Sequence, residues 1–287
     1  MKKIPIRNIR PTAKDQTSTE RFNIRDIKTL LDGKDLTQEL HRHNFFLILA
    51  LKDGQGNHEI DFVPHDVVDN VVFCLRPGQV HQLKLAAACT GYLMEFNREY
   101  YQPGDKISSL RLRKASNKNA CQLIDKRFEK LLSVLSYIFQ EYTSKEEGYN
   151  DIIKASLDIF FIEFVRQSQH PDSLATDVNP YVQQRLDEFL ELLETHIISR
   201  KQVSDYTDLM NLSSYQLNEI TKSAIGKSPS EIINEHIILE AKRHLLATTN
   251  QVKEIADQLG YEDVSYFIRF FKKHTDFSPD AFRHNLV

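Results

Sequence analysis

The 287-residue sequence lacks most of the signatures that would place it in a familiar class. No apolar run approaches the roughly 18 residues of a membrane span, so no transmembrane helix is expected. The opening MKKIPIRNIRP carries charge but no apolar core, and it is not expected to act as a secretory signal. Cysteine is scarce. Cys74, Cys89 and Cys121 form an odd, scattered set with no CxxC pair, which excludes a zinc ribbon or a redox dithiol by spacing and reads as reduced thiols of a cytoplasmic protein. No nucleophile elbow, Walker loop or dinucleotide fingerprint is present, and the glycines of Asp53–Gly56 read as a hairpin turn. No catalytic residues and no cofactor are therefore expected. Positive charge is also missing. The net charge is −3, with 25 basic against 24 acidic residues before Asn179 and 12 against 16 after it.

What is present falls into two halves of different period. The first half alternates short apolar runs with turn clusters. Phe45–Leu51 is a continuous apolar run suited to a strand buried on both faces, Lys52–Asn57 is a turn, and His58–Val63 resumes a strand. Val67–Leu75, Val80–Ala87 and Gly91–Phe96 read as further strands, with a turn at Arg76–Gly78. Many short strands joined by glycine and proline turns indicate a small β-barrel or sandwich. After about Asn119 the period changes. Leu123, Ile124, Phe128, Leu131, Leu132, Leu135, Ile138 and Phe139, then Ile152, Ile153, Leu157, Phe160, Phe161, Phe164 and Val165, mark two amphipathic helices separated by a break at Thr143–Asn150. They form an antiparallel hairpin that either packs on its own barrel or pairs with a second copy of the chain.

Ser168–Pro180 is polar, holds two prolines and has no period, so it reads as the linker. The expected organisation is a barrel over 1–119, a helical hairpin over 120–168, a linker over 169–180 and an all-helical domain over 181–287.

That last domain carries two signals of the same layout, Val203–Lys222 and Val252–Lys273, joined by one helix. Each reads as a short helix, a turn and a capped second helix, the arrangement of a helix-turn-helix. In the first, Asn211-Leu212 is the turn and Ser213-x-x-Gln216 is a capping box. Leu217 and Ile220 face inward and leave Ser214, Tyr215, Asn218 and Glu219 on the outer face. In the second, Gly260 supplies the left-handed turn residue, Asp263 is the cap, and Phe267, Phe270 and Phe271 have core spacing. Val264, Ser265, Ile268 and Arg269 are then exposed. Ser228-Pro229-Ser230-Glu231 starts the connecting helix with a cap, a proline at the first helical position and a glutamate three beyond the cap. Two such motifs in tandem point to double-stranded DNA as the partner. The acidic balance of this half runs against that, unless basic residues gather on one face, because local charge steers nucleic acid.

The stretches KEIADQLGYEDVSYFIRFFKKHTDFSP and GKSPSEIINEHIILEAKRHLL resemble the signature and connecting helix of AraC/XylS-type transcriptional regulators. The resemblance covers roughly the last hundred residues. It implies two recognition helices entering adjacent major-groove segments. Tyr215, Asn218, Glu219, Val264, Ser265, Ile268 and Arg269 would then read bases, and Lys222, Lys272 and Lys273 would lie near phosphates. Arg269 stands out, since bidentate arginine to guanine is the commonest specific contact. Four residues depart from the family pattern. Glu219 stands where a basic or small polar residue is usual, His236 where arginine is common, Gln251 where a serine cap is common, and Asp276 where glycine is usual.

In the first half, His41-Arg-His43 and Pro77-Gly-Gln-Val-His81 are similar to the two half-motifs of a cupin barrel, the effector-binding half of such regulators. His41, His43 and His81 are the candidate effector-binding residues. The carboxylate that would complete a metal site after the histidine pair is absent, with Leu47 nearest its place, so no metal ligands are assigned. His58 and His65 have no spacing signal and are expected at the surface. The resemblance implies a cytoplasmic, homodimeric, effector-responsive activator that contacts RNA polymerase. A metal-dependent cupin enzyme fused to a DNA-binding module, and a constitutive DNA-binding protein with a structural barrel, are the alternatives.

Overall fold

A computed structural model describes residues 5–7, 9, 21–168 and 179–285. The chain divides into two compact units, one within Pro5–His170 and one within Pro171–Val287. The expected linker falls almost wholly on 169–178, outside the described residues.

The first unit is built on two five-stranded sheets. One has the order β1 (Ile6–Arg7), β3 (Leu36–His43), β8 (Val80–Leu85), β5 (Gly56–Ile60), β6 (Val63–Val67). The other runs β10 (Ala120–Gln122), β7 (Val71–Leu75), β4 (Phe46–Asp53), β9 (Thr90–Phe96), β2 (Phe22–Asp26). A short helix, α1 (Ile27–Leu31), follows β2 and is capped by the Asp26 carboxylate, which accepts from the Thr29 amide at 2.7 Å.

Strand β4 shows why this half of the sequence reads as a solid apolar run. Successive side chains of a strand point to opposite faces. Leu47, Leu49 and Leu51 enter a core between the two sheets with Phe73, Leu83, Leu85 and Leu93. Phe46, Ile48 and Ala50 point the other way, into a second core with Met94, Phe96 and the helical hairpin α3 (Asp125–Ser144) and α4 (Tyr149–Ser168). Phe128, Leu131, Leu135 and Ile138 of α3 meet Ile153, Leu157, Phe160, Phe161 and Phe164 of α4 there. Each fully buried phenylalanine contributes about 1.5–3 kcal/mol, so the hairpin is an integral layer of this unit.

Three strand expectations are corrected. The run His58–Val63 is not one strand, because Asp61 and Phe62 both adopt left-handed φ, 49° and 69°, and turn the chain from β5 into β6. Such a pair forms the two-residue hairpin turn that matches strand twist. Val67–Leu75 is likewise split, by a turn at Asn70 with φ 57°. Residues 120–122, taken with the hairpin on sequence, pair with β7 as an edge strand. Strand β3 was not foreseen because a bulge between Gln38 and His41 breaks its alternation. A further helix, α2 (Lys106–Ser116), is also new, and Asp105 caps it.

The second unit is all helical: α5 (Pro180–His196), α6 (Val203–Met210), α7 (Ser214–Ile225), α8 (Pro229–Ala247), α9 (Val252–Gln258), α10 (Val264–Thr275) and α11 (Pro279–Asn285). Helix α8 touches both helix pairs and α11. Its last turn and the loop that follows are tied to α11 by Arg283, which donates to the carbonyls of Leu245 at 2.9 Å and Asn250 at 2.7 Å. Among the described residues no helix is long and apolar enough to cross a membrane.

Candidate DNA interface and histidine cluster

Both helix-turn-helix motifs form, and they match closely. Helices α7 and α10 have 12 residues each and begin 50 residues apart. Leu217 and Ile220 of the first, and Phe267 and Phe271 of the second, are buried against the scaffold. The N-cap of α7 is a full capping box. The Ser213 hydroxyl accepts from the Gln216 amide at 3.2 Å, and the Gln216 side chain accepts from the Ser213 amide at 2.8 Å. The N-cap of α10 is Asp263, whose carboxylate accepts from the Ser265 amide at 2.7 Å.

The outward faces hold the residues singled out from sequence. Ser214, Tyr215 and Glu219 are exposed and Asn218 is half-buried on α7. Ser265, Arg269, Lys272 and Lys273 are exposed, and Val264 and Ile268 half-buried, on α10. Tyr215 is 73% exposed, too much for a core residue. Arg269 stands 4.0 Å from the capping Asp263, with both side chains open to solvent, a weak contact that leaves the guanidinium available. Lys222 is exposed as well, beside Glu231. It lies 3.6 Å from Glu231 and donates to the Gly226 carbonyl at 3.3 Å.

Sequence reasoning passed over Tyr266, which is 55% exposed beside Ser265. Its signal was an aromatic lying off the Phe267–Phe271 stripe.

The acidic excess of this half is largely occupied within the scaffold. Asp205 and Glu254 accept from the amides of Gln202 and Gln251 at helix starts. Glu188, Glu235 and Glu240 pair with Arg185, Lys227 and Arg243. Glu231 accepts from the Ser228 hydroxyl and amide and faces Lys222, and these, in that order, hold its carboxyl down to about 2. Helix α10 itself holds Arg269, Lys272 and Lys273 and no acid, whereas α7 balances Glu219 against Lys222.

In the first unit the structure brings His41, His43 and His81 together. His41 and His81 are cross-strand partners on β3 and β8, with ring centroids 4.1 Å apart. His43 and His81 centroids are 5.0 Å apart, and His41 and His43 6.3 Å. His58, expected at the surface, is fully buried, and its Nε2 lies 2.9 Å from Nδ1 of His81. His65, also expected there, is half-buried across from His58 in the β5–β6 pairing. A surface reading failed because β5 and β6 turn their alternate residues toward the core between the sheets. Burial lowers all four shifted rings: His43 to about 4, His58 to about 3, His81 well below its ordinary value, and His65 more mildly. These imidazoles are neutral at pH 7. A separate cleft of about 460 Å³ opens outside the sheets, lined by Lys52, Tyr92, Glu129, Ser133, Tyr137 and Gln140 among others, and none of the clustered histidines lines it.

The chain matches two family models, an AraC-like ligand binding domain over residues 33–141 and a helix-turn-helix domain over residues 206–285. It is similar to the HTH-type transcriptional activator RhaS of Escherichia coli (strain K12), at 24% identity over 253 residues, which covers 85% of this chain and 86% of that one. Among solved structures, ToxT from Vibrio cholerae is 14% identical, covers 92% of this chain and 98% of its own, and has a TM-score of 0.44. The C-terminal domain of the response regulator yesN from Fusobacterium nucleatum is 30% identical over 35% of this chain and 98% of its own, with a TM-score of 0.33. With a sheet-built N-terminal unit, a tandem helix-turn-helix unit, and a family model matching each of them, the chain belongs to the AraC family of transcription regulators.

Proposed function

We propose that the protein is a cytoplasmic, effector-responsive activator that reads two adjacent major-groove segments of its operator. The observation that carries this reading is the repeat of one scaffold at 50-residue spacing, with polar and aromatic residues kept outward at matching positions of α7 and α10. Tyr215, Asn218, Glu219, Val264, Ser265, Ile268 and Arg269 face the base edges, Ser214 and Tyr266 flank them, and Lys272 and Lys273 approach phosphates. Lys222, held by Glu231, serves mainly to secure the end of α7. Helix α10 supplies most of the electrostatic anchoring.

The N-terminal unit senses the effector through the interior lined by His41, His43 and His81. Effector occupancy biases how two DNA-binding units of a homodimer engage their sites. Tyr137 on α3 and Ile159 on α4 remain exposed on the hairpin and offer its outer side for self-association. Once bound, the dimer contacts RNA polymerase. No catalytic step is assigned to it.

A gel shift over a salt series, with DNA from upstream of the protein's own coding sequence, tests the reading. A sequence-specific complex whose affinity falls steeply with salt supports it. Binding that does not distinguish this DNA from random duplex, with or without cell extract as a source of effector, overturns it.

A further inference from the structure

The two helix-turn-helix motifs are joined by more than the helix between them. Helices α6 and α7 pack on α8, and so do α9, α10 and α11. Side-chain packing on one shared rod admits crossing angles that vary by about 15–20°. A second tie, away from α8, therefore decides how the two motifs are turned against each other. The loop between α5 and α6 makes that tie. It is held to the first motif by Tyr206 of α6, which is fully buried edge-on to Phe189 of α5 at 5.4 Å and donates its hydroxyl to the Arg200 carbonyl at 2.8 Å. From the same loop the Lys201 ammonium donates to the Ile198 carbonyl at 2.6 Å and, 59 residues along the chain, to the Gly260 carbonyl at 3.0 Å. Gly260 is the turn of the second motif. Its left-handed backbone, φ 73°, lies so close to Ile198 that a Cβ would come within 2.0 Å of the carbonyl oxygen. Lys201 Nζ also stands 5.1 Å from the centre of the Tyr261 ring, where a cation is attracted to the aromatic face. Tyr261 is buried and rests on α10, with ring centroids 5.3 Å from Phe267 and 6.0 Å from both Tyr266 and Phe270. One ammonium thus joins the loop of the first motif to the turn of the second and to the aromatic base of α10.

We propose that Lys201 is a positioning residue for operator recognition: with Gly260 it clasps the two motifs together, sets the angle between α7 and α10, and so makes the protein select the number of base pairs between its two groove segments. This rests on the two-groove reading and names what that interface selects. Once one motif is seated, the other engages as an intramolecular event. Its effective concentration is highest where the connection matches the span between the sites, and falls elsewhere. Each inserted base pair carries the second segment about 3.4 Å along the duplex and about 35° around it. A clasped pair of motifs meets that displacement with strain, whereas a pair held by α8 alone follows it. Lys201 lies outside both motifs in sequence, and it acts through the Gly260 turn and the Tyr261 ring.

The test uses the full chain and a fluorescent duplex from upstream of its own coding sequence, in which footprinting locates the two segments read by one chain. A second duplex has one base pair inserted between them. The unaltered protein should bind the natural duplex about tenfold more tightly than the inserted one. Lys201→Met keeps the apolar stem but neither the donors nor the charge, and should narrow that ratio to about twofold. Lys201→Arg should keep it, because a guanidinium retains paired donors and stacks on tyrosine. A merely structural lysine would lower the melting temperature and weaken both complexes alike, leaving the ratio unchanged. Should Lys201→Met fail to fold, Lys201→Gln takes its place, too short to reach both carbonyls and expected to narrow the ratio in the same way. An unchanged ratio in the folded variant overturns the clasp, as does an unaltered protein that prefers its upstream duplex to random DNA but ignores the insertion. In both cases the two-groove reading stands. Failure of the unaltered protein to distinguish its upstream duplex from random DNA overturns that reading and the clasp with it.

Discussion

The two helix-turn-helix motifs share one frame and differ in nearly every residue that frame does not dictate. Helices α7 and α10 have the same length, and two equivalent positions are buried in both, Leu217 with Phe267 and Thr221 with Phe271. In the first motif the left-handed turn residue is Asn211, with φ 51°, and the N-cap follows two residues later. In the second it is Gly260, with φ 73°, and the N-cap follows three later. After α7 and α10 the roles reverse. Gly226 takes the left-handed position after α7, and Asp276, with φ 65°, takes it after α10. On the outer face Glu219 and Arg269 occupy equivalent positions. Apolar spacing and caps thus define the helix pair, while the outer face is free to change sign.

The largest effect is expected at the turns. A Cβ on Gly260 would sit 2.0 Å from the Ile198 carbonyl oxygen, backbone that cannot yield cheaply. Lys201 reinforces that approach by donating to the carbonyls of both Ile198 and Gly260. Gly260→Ala should cost about 3 kcal/mol or more through combined strain and overpacking, read as a lower denaturation midpoint of the C-terminal unit. Asn211→Gly should be close to neutral, since both residues tolerate this backbone. Equal losses at the two turns would show that the close approach at Gly260 is immaterial.

Next in size is the exchange at the outer face. Arg269→Ala should weaken specific binding by about 1–3 kcal/mol, roughly 10–150-fold, and relax preference at one base pair. Glu219→Gln should leave affinity unchanged or raise it slightly, because it removes a negative charge near phosphates. A fluorescence-anisotropy titration against operator DNA compares the two, and a larger loss at Glu219 than at Arg269 would invert the assignment of anchor and reader.

Smaller effects belong to the caps. Ser213→Ala removes the acceptor of the α7 capping box and should cost about 1 kcal/mol. Asp276→Gly should stabilise by up to about 1 kcal/mol, since glycine takes left-handed φ without the Cβ penalty, and Gly226→Asp should lose a similar amount. Thermal melting of the two variants should move in opposite directions.

The smallest effect is tied to pH. Glu231 has a lowered folded value, so its contribution is present above the ordinary carboxylate range and is lost as pH falls toward about 2. Glu231→Gln should remove that part of the acid dependence and leave stability at pH 7 little changed, since the side chain is exposed. An unaltered acid profile in the variant would count against the capping role.

Much of the C-terminal unit was legible because its information is local. Capping boxes, prolines at helix starts and the 3.6-residue apolar period act within a few residues of each other, and Ser213-x-x-Gln216 and Ser228-Pro229-Ser230-Glu231 form the caps their spacing indicates. Tyr266 escaped because exposure of one residue on a helix depends on what packs beside it. The N-terminal unit was legible in its apolar strands and hairpin, where β4 shows its two-sided burial in its composition. It was not legible where turns rest on non-glycine residues in left-handed φ, as at Asp61, Phe62 and Asn70, or where a bulge breaks alternation, as in β3.

The helical periods, the caps, the tandem layout of the two motifs and the His41–His43 spacing are written in the order of residues, because each depends on neighbours along the chain. Where the charges and the histidines act is set by long-range packing. Carboxylates that make the C-terminal half acidic are turned into caps and ion pairs within the scaffold, which leaves α10 basic. His58, lying 23 residues from His81 in sequence, becomes its hydrogen-bond partner through the register of β5 on β8. Such contacts arise from strand pairing over long chain separations, and no local pattern of residues encodes them.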